Sequence, residues 1–306
     1  MYFIQLITNI FKPKNIPVLL YFLANVALSF VIMYFLNLFT FGQNLTLEQQ
    51  QLYNGLVGLG IYFGGVVIFL SPIGEGFFRF TNGLKRVEDY QGLAHVQAAF
   101  NEVYEKAQAE HPGIPKGVKL YIKNSSVQNA AAVGRKTIFL TQGILALPPD
   151  QLKGIIAHEL AHLYNGDTVI LLLILVGNIF INAIAMMLKL FFSILGLFIL
   201  LGGGRNNSFG DRFSGYLLTR MARFLIDLVV GVWLLIGIAL KNLSGRAAEY
   251  KADEFACELG YGKELATALA TISHGAPNQG NVSIVDRALA SHPDTSERIR
   301  RCGGVA

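Results

Sequence analysis

The chain has 306 residues, of which 53% are hydrophobic and 15% charged, against roughly 25% charged in soluble domains. This composition excludes an ordinary soluble domain and indicates an integral membrane protein. The net charge is only +5 and no basic stripe interleaved with aromatic residues occurs, so nucleic acid is not expected as a partner.

Two apolar runs predict a pair of membrane helices at the start of the chain. Residues 17–41 carry no charge, exceed the roughly 20 residues needed to span a bilayer and lack a clear signal-cleavage site. The short connector 43–51 carries Glu48 but no lysine or arginine. Residues 52–73 form the second predicted span.

From Arg79 to Gly166 the sequence is polar enough to face water. Charged residues through Glu110 predict a solvent-facing helix, and residues 118–123 and 136–141 alternate like short strands. The second of these strands fits either an edge strand that pairs with an extended substrate or an ordinary internal strand.

This polar segment ends in the run HELAH, His158 to His162, within a predicted helix that Gly166 ends. On a helix the two histidines lie one turn apart on the same face, where two imidazoles can bind one metal ion, and Glu159 lies beside them. Only six histidines occur in the chain, so two in one turn argue against a chance placement. The pattern is that of a zinc hydrolase with Glu159 as the catalytic base.

A second hydrophobic block follows the histidine motif directly. Residues 168–201 would form about 51 Å of helix against a bilayer core of about 30 Å, so they are expected to tilt, to project or to break near Lys189. Residues 213–240 predict a fourth span. In an antiparallel hairpin Lys189 would pair with Asp227; alternatively, Lys189 reaches the membrane surface and Asp227 pairs with Arg223.

Four spans place both polar segments on the side of the N-terminus. Basic residues such as Lys12, Lys85 and Lys241 flank spans on that side, which is therefore expected to be cytoplasmic, although Arg205 and Arg212 run against the trend. The predicted fold is mainly α with a small β-sheet. Its parts are two membrane helices in 1–78, the first part of a catalytic domain in 79–167, a membrane hairpin in 168–241 and the second part of that domain in 242–306.

A hydrolytic zinc site needs three protein ligands and one open position. In the last segment, Glu249 and Asp253 are spaced to share one face of a helix, so one carboxylate can bind the metal and the other can accept the free N–H of a ligating histidine. From residue type alone, His274 and His292 are rival third ligands.

Together these motifs resemble a known family. The HELAH run, the segment EYKAD from Glu249 to Asp253, and the tail SHP around His292 with Arg298-Ile299 look like the membrane-bound zinc peptidases of the HtpX heat-shock type. The resemblance covers the whole layout, with two spans before the first motif and two between the ligand motifs. It implies four transmembrane helices and a cytoplasmic gluzincin-type metalloprotease domain, with one zinc ion on His158, His162 and Glu249 and with Asp253 as support for a ligand.

The resemblance also implies a biological setting, namely quality control of misfolded or damaged membrane proteins in a bacterial inner membrane. The expected partners are protein substrates and the lipid bilayer. Family members usually carry an aromatic residue in the stretch that Asn129-Ala130-Ala131-Ala132 resembles, so Asn129 is expected to contact substrate without that ring. The related CAAX prenyl proteases have more membrane spans, and four spans argue against that branch.

Two residues keep open roles. His292 would either donate a hydrogen bond to the oxyanion of the tetrahedral intermediate or merely turn the chain. Asp167 would either support the end of the histidine helix or cap the third span, and capping is the expected role.

Two other functions stay open from the residues themselves. A non-catalytic membrane scaffold or chaperone would retain a structural metal, but an intact Glu159 and only three protein ligands argue against it. A transporter would relay ions through Lys189 and Asp227, but the histidines and Glu249 lie outside the spans.

Overall fold

The structure, a computed structural model, describes residues 6, 8–42, 44–201, 208–274 and 295–303. The chain forms two compact units, each built from separated stretches of sequence. The first contains Met1–Leu19, Val66–Leu173 and Lys241–Ala306, and the second contains Leu20–Gly65 and Ile174–Leu240. The predicted segments 79–167 and 242–306 fall inside the first unit, and their borders stay a prediction.

The described residues are mainly helical with one small sheet, as predicted. The helices are α1 (Ile16–Leu36), α2 (Leu47–Phe69), α3 (Pro72–Thr81), α4 (Ala94–Glu110), α5 (Pro149–Asn165), α6 (Asp167–Leu201), α7 (Phe209–Glu258), α8 (Gly262–His274) and α9 (Thr295–Arg301). The strands are β1 (Lys85–Arg86), β2 (Lys119–Lys123), β3 (Ala130–Val133) and β4 (Thr137–Thr141).

Four stretches of helix within the described residues are long and apolar enough to cross a membrane, which confirms the four predicted spans. They are Pro13–Leu36, Leu47–Phe69, Asp167–Leu201 and Phe209–Leu240. The third is one unbroken helix of 35 residues, so the expected break near Lys189 does not occur. Lys189 Nζ lies 2.7 Å from Asp227 Oδ1, which is the pairing expected for an antiparallel hairpin.

Helix α7 is longer than the sequence suggests. A span ending at Leu240 and a separate helix from Gly245 are predicted, whereas the structure has one helix of 50 residues. The connecting residues contain no proline, and a single helical glycine costs only about 1 kcal/mol, so nothing there stops the helix. Glu249 and Asp253 therefore lie on the continuation of a membrane helix.

The sheet has the strand order β1-β2-β4-β3. Strands β2 and β4 run parallel with Tyr121 opposite Phe139, and β3 runs antiparallel to β4 with Ala131 opposite Phe139. Strand β3 was not predicted, because alanine is depleted from strands and the segment Ala130–Val133 is mostly alanine. Of the two alternatives for residues 136–141, the internal strand is the one observed, and β3 is the outer strand on that side.

The turn between β3 and β4 closes around the carboxylate of Glu75 on α3. Glu75 is 1% exposed and accepts hydrogen bonds from the backbone N–H groups of Arg135 and Lys136 and from the Thr137 hydroxyl. Gly134 has a φ of +63°, and a Cβ there would lie 2.5 Å from Glu75 Oε2. The turn therefore requires glycine, and the hairpin that carries β3 is held in place.

Helix α5 runs through the core of the first unit. Pro149 stands in its first turn, and Gly166, with a φ of +73°, ends it and donates its N–H to the His162 carbonyl. Its apolar face is fully buried at Leu152, Ile156, Leu160 and Leu163. The polar motif on this helix is thus anchored by packing on both sides.

Gly154 allows α5 to approach α8 closely, since a Cβ at this position would lie 2.3 Å from the backbone nitrogen of Leu265. We expect Gly154→Ala to lower the free energy of unfolding by about 1–3 kcal/mol, because the backbone of α8 must shift. Thermal unfolding in detergent measures the loss. Gly245→Ala on α7 is the control, since no described atom lies within 4 Å of its Cβ; an equal loss there would contradict the packing argument.

Candidate metal centre

Three predicted site residues lie on the last two turns of α5. His158 and Glu159 are only 3% and 4% exposed. The Nε2 atoms of His158 and His162 lie 3.2 Å apart, as expected for side chains one helical turn apart on one face. The two imidazoles therefore converge on one point.

Helix α7 places Glu249 opposite the two histidines. Its Oε2 lies 3.3 Å from His158 Nε2, and its Oε1 lies 3.5 Å from His162 Nε2. Ligands that surround zinc tetrahedrally at about 2.0–2.1 Å stand roughly 3.3–3.4 Å from one another. The three donor groups thus have the spacing that one small divalent cation requires.

A carboxylate lies behind each histidine. His158 Nδ1 lies 2.9 Å from Asp253 Oδ1, and His162 Nδ1 lies 3.3 Å from Asp167 Oδ2. When Nδ1 carries the proton and donates it to the carboxylate, Nε2 keeps the lone pair that a metal ligand needs. Both rings are oriented so that their Nε2 atoms face Glu249.

Asp167 contacts side chains rather than its own helix. From the sequence, capping α6 is its expected role, yet no backbone N–H of α6 donates to its carboxylate among the described residues. One oxygen faces His162, and the other lies 2.8 Å from Lys14 Nζ. The observed partners therefore favour support of the histidine over capping.

Arg298 on α9 joins the two carboxylates of α7. Its side chain is buried, with 1% of the residue exposed. Nε and Nη2 donate to the two oxygens of Asp253 at 2.8 and 2.7 Å, and Nη1 lies 3.4 Å from Glu249 Oε2. Such a two-pronged pair holds both the charge and the orientation of the carboxylate.

These contacts shift the pKa values of the site toward holding positive charge. Burial and the Arg298 charge lower the pKa of His158, but hydrogen bonds to Asp253 and Glu249 outweigh both and raise it to about 9. Burial raises the pKa of Asp253, but hydrogen bonds from Arg298 and His158 lower it to about 2. The negative charge that attracts protons to the imidazoles also attracts a metal cation, whose binding would release them.

The charge of the whole cluster fits a divalent cation. Four carboxylates and two cationic side chains lie within this one network, which leaves two negative charges to be balanced. The members are Glu159, Glu249, Asp253, Asp167, Arg298 and Lys14. Two imidazoles and a carboxylate are also a donor set that zinc prefers.

A cavity of about 230 Å³ opens beside His158 and Glu159. One wall is apolar and comes largely from α5 and α8, and the other is the segment that leads into β3, including Gln128 and Asn129. Within the described residues, Glu159 makes no hydrogen bond or ion pair, and Gln128 Oε1 is buried without a hydrogen-bond partner. The apolar lining is formed by Val127, Ala130, Ile144, Ile155, Leu265, Leu269 and Ile272.

The structure brings most of the predicted site residues together. His158, His162, Glu249 and Asp253 form one cluster, and Asn129 lines the adjoining cavity. The predicted His292 lies outside the described residues, and the rival ligand His274 ends α8 with its side chain outside them as well.

Sequence reasoning gave no role to Arg298 and did not connect Lys14 or Asp167 with the histidines. The one available signal was the position of Asp167, five residues after His162 and just past the end of the helix.

Comparisons with known proteins agree with this geometry. Residues 92–305 match the model of peptidase family M48. A protease HtpX homologue of Thermococcus sibiricus is 32% identical over 81% of this chain and 89% of the relative, and one of Persephonella marina is 26% identical over 79% and 88%. The crystal structure of S. mikatae Ste24p aligns with 17% identity and a TM-score of 0.44, over 90% of this chain and 62% of that chain.

The family match covers more than half of the chain, and the Thermococcus relative is similar over most of its length. The resemblance to the HtpX type noted from the motifs is thereby confirmed. The chain belongs to peptidase family M48 and is a multi-pass membrane metalloprotease of the HtpX type.

Proposed function

We propose that this metalloprotease is a zinc endopeptidase that cleaves misfolded or damaged membrane proteins as part of protein quality control. One arrangement carries the proposal. Donor atoms of His158, His162 and Glu249 lie 3.2–3.5 Å apart, beside the Glu159 carboxylate and at the mouth of an apolar cavity.

Nε2 of His158, Nε2 of His162 and the Glu249 carboxylate would hold the zinc ion. Bound zinc supplies a Lewis acid that polarises the peptide carbonyl and makes water easier to deprotonate. Asp253 keeps the proton of His158 on Nδ1, and Arg298 keeps Asp253 and Glu249 ionised and oriented.

Glu159 acts as the proton carrier. Its carboxylate takes a proton from the attacking water and passes it to the nitrogen of the leaving amine. Because the described residues give this carboxylate no hydrogen bond or ion pair, its oxygens stay free to do so.

The wall beside Glu159 suits an extended polypeptide. The outer strand β3 can pair with a substrate backbone, and main-chain hydrogen bonds carry no side-chain information, so many sequences can bind. Gln128 and Asn129 lie where that pairing would begin, and the unpartnered Oε1 of Gln128 can accept a substrate N–H. The apolar cavity favours an apolar substrate side chain, which unfolded membrane proteins offer in abundance.

The chain order favours substrates near the membrane. Helix α5 ends at Asn165, and α6, a candidate span, begins at Asp167. The basic residues beside the spans place this end in the cytoplasm, and we assign the protein to a bacterial inner membrane.

The proposal is tested with two clients that carry the same unfolded loop, one anchored by a transmembrane helix and one soluble. The protein is reconstituted in phosphatidylethanolamine and phosphatidylglycerol vesicles with zinc. We expect the anchored client to be cleaved faster, on the order of tenfold or more, because the shared bilayer raises its effective concentration at the site.

Equal cleavage rates for the two clients would contradict the preference for membrane proteins and leave a general zinc endopeptidase. Cleavage of neither client, despite bound zinc, would favour the scaffold or chaperone with a structural metal.

A further inference from the structure

A chain of three polar side chains runs away from the metal centre behind His162. His162 Nδ1 faces Asp167 Oδ2 at 3.3 Å, and Asp167 Oδ1 faces Lys14 Nζ at 2.8 Å. The three side chains are 12%, 16% and 17% exposed, so this is a sheltered network and not a loose surface pair. All three residues belong to the first unit.

The segment that carries Lys14 is fixed against the end of α5. Asn9 Nδ2 donates to the backbone carbonyl of Asn165 at 3.2 Å, and Asn15 Nδ2 donates to the carbonyl of Asn9 at 2.8 Å. Asn9 and Asn15 are only 5% and 3% exposed. Lys14 is therefore held at its position by its neighbours, whereas Lys12 in the same segment is exposed.

The order of the contacts has a chemical consequence. A carboxylate that accepts the Nδ1 proton of His162 fixes the tautomer whose Nε2 lone pair faces Glu249. Asp167 stands at the start of α6, where its side chain could otherwise turn to water. An ammonium group on its second oxygen holds the carboxylate in the one orientation that reaches His162.

We propose that Asp167 and Lys14 are positioning residues of the metal centre, so that the segment preceding the first membrane helix is a working part of the active site. The proposal rests on the zinc-ligand role proposed above for His162. It assigns to Lys14 an indirect role, exerted only through Asp167.

The test measures zinc affinity of the full-length protein in detergent by competition with a chromophoric chelator. Partners behind a metal ligand typically contribute about 10–100-fold in affinity. We expect Asp167→Ala to weaken zinc binding by about that factor and Lys14→Met by about tenfold. Lys14→Arg should restore most of the affinity, and Lys12→Met, the matched control, should bind zinc like the wild type.

A second readout separates positioning from general stability. In the cobalt-substituted protein at saturating cobalt, Asp167→Ala should change the visible absorption bands, because these report ligand orientation. A residue that only stabilised the fold would lower the melting temperature and leave affinity and spectrum unchanged. Asp167→Asn keeps the size and one acceptor, so it should fold and give an intermediate affinity.

His162→Ala distinguishes the two possible failures. If it loses zinc binding while Asp167→Ala and Lys14→Met bind like the wild type, the positioning role is overturned and the proposed ligand set stands. If His162→Ala itself binds zinc like the wild type, the proposed ligand set fails first.

Discussion

Replacing Glu159 with glutamine is expected to abolish peptide-bond cleavage while leaving zinc content and melting temperature unchanged. Glutamine has the same shape but cannot accept the proton of the attacking water, and general base catalysis of this kind contributes about 10²–10⁴-fold. In the described structure the carboxylate has no hydrogen-bonded partner to lose, so the fold should tolerate the change. Cleavage of an unfolded protein and zinc content are measured on the same samples.

Three companion variants make this result specific. Asp150→Asn changes an exposed carboxylate on the same helix and should retain both zinc and activity. Glu249→Gln removes a proposed ligand and should lose both, whereas Glu254→Gln, exposed on the same helix, should lose neither. Full cleavage by zinc-loaded Glu159→Gln would show that another group is the base.

Arg298→Ala is expected to cause the largest loss of stability in the catalytic unit. The change leaves Asp253 and Glu249 buried at 2% and 9% exposure without their cation. Removing one partner of a buried ion pair typically costs about 3–5 kcal/mol, because the other charge stays uncompensated. Chemical unfolding in detergent, followed with and without zinc, measures the loss.

Arg300→Ala is the matched control, since that side chain is 72% exposed on the same helix. It should change the free energy of unfolding by less than about 1 kcal/mol. Arg298→Lys should lie between the two, because an ammonium keeps the charge but cannot bind both oxygens of Asp253. Equal stability of Arg298→Ala and the wild type would contradict the structural role given to this arginine.

The parts of the site that follow from local spacing could be predicted from the sequence. Histidines four residues apart on a helix must share a face, and the same holds for Glu249 and Asp253. The four spans follow from long uncharged runs, and the strands β2 and β4 follow from alternation. Each of these signals is contained within a few turns of chain.

The remaining parts depend on contacts between distant segments. Lys14 and Asp167 are 153 residues apart, and Arg298 and His158 are 140 apart. No local pattern marks such pairs, because a lysine or an arginine near a helix end is common on any surface. Strand β3 is a similar case, since its alanines form a strand only because β4 and α5 pack around them.

The separation of His158 from Arg298 bears on how the enzyme is made. Both helices of the membrane hairpin lie between them in the chain, and Arg298 is translated 140 residues later. At the usual speed of a ribosome this is a delay of about 7–28 s. On the proposed ligand set, a nascent chain carries the histidines through that interval without Glu249 or its arginine partner. The protease is therefore inactive until its hairpin has been inserted and its C-terminal helix has folded, which protects neighbouring nascent chains from premature cleavage.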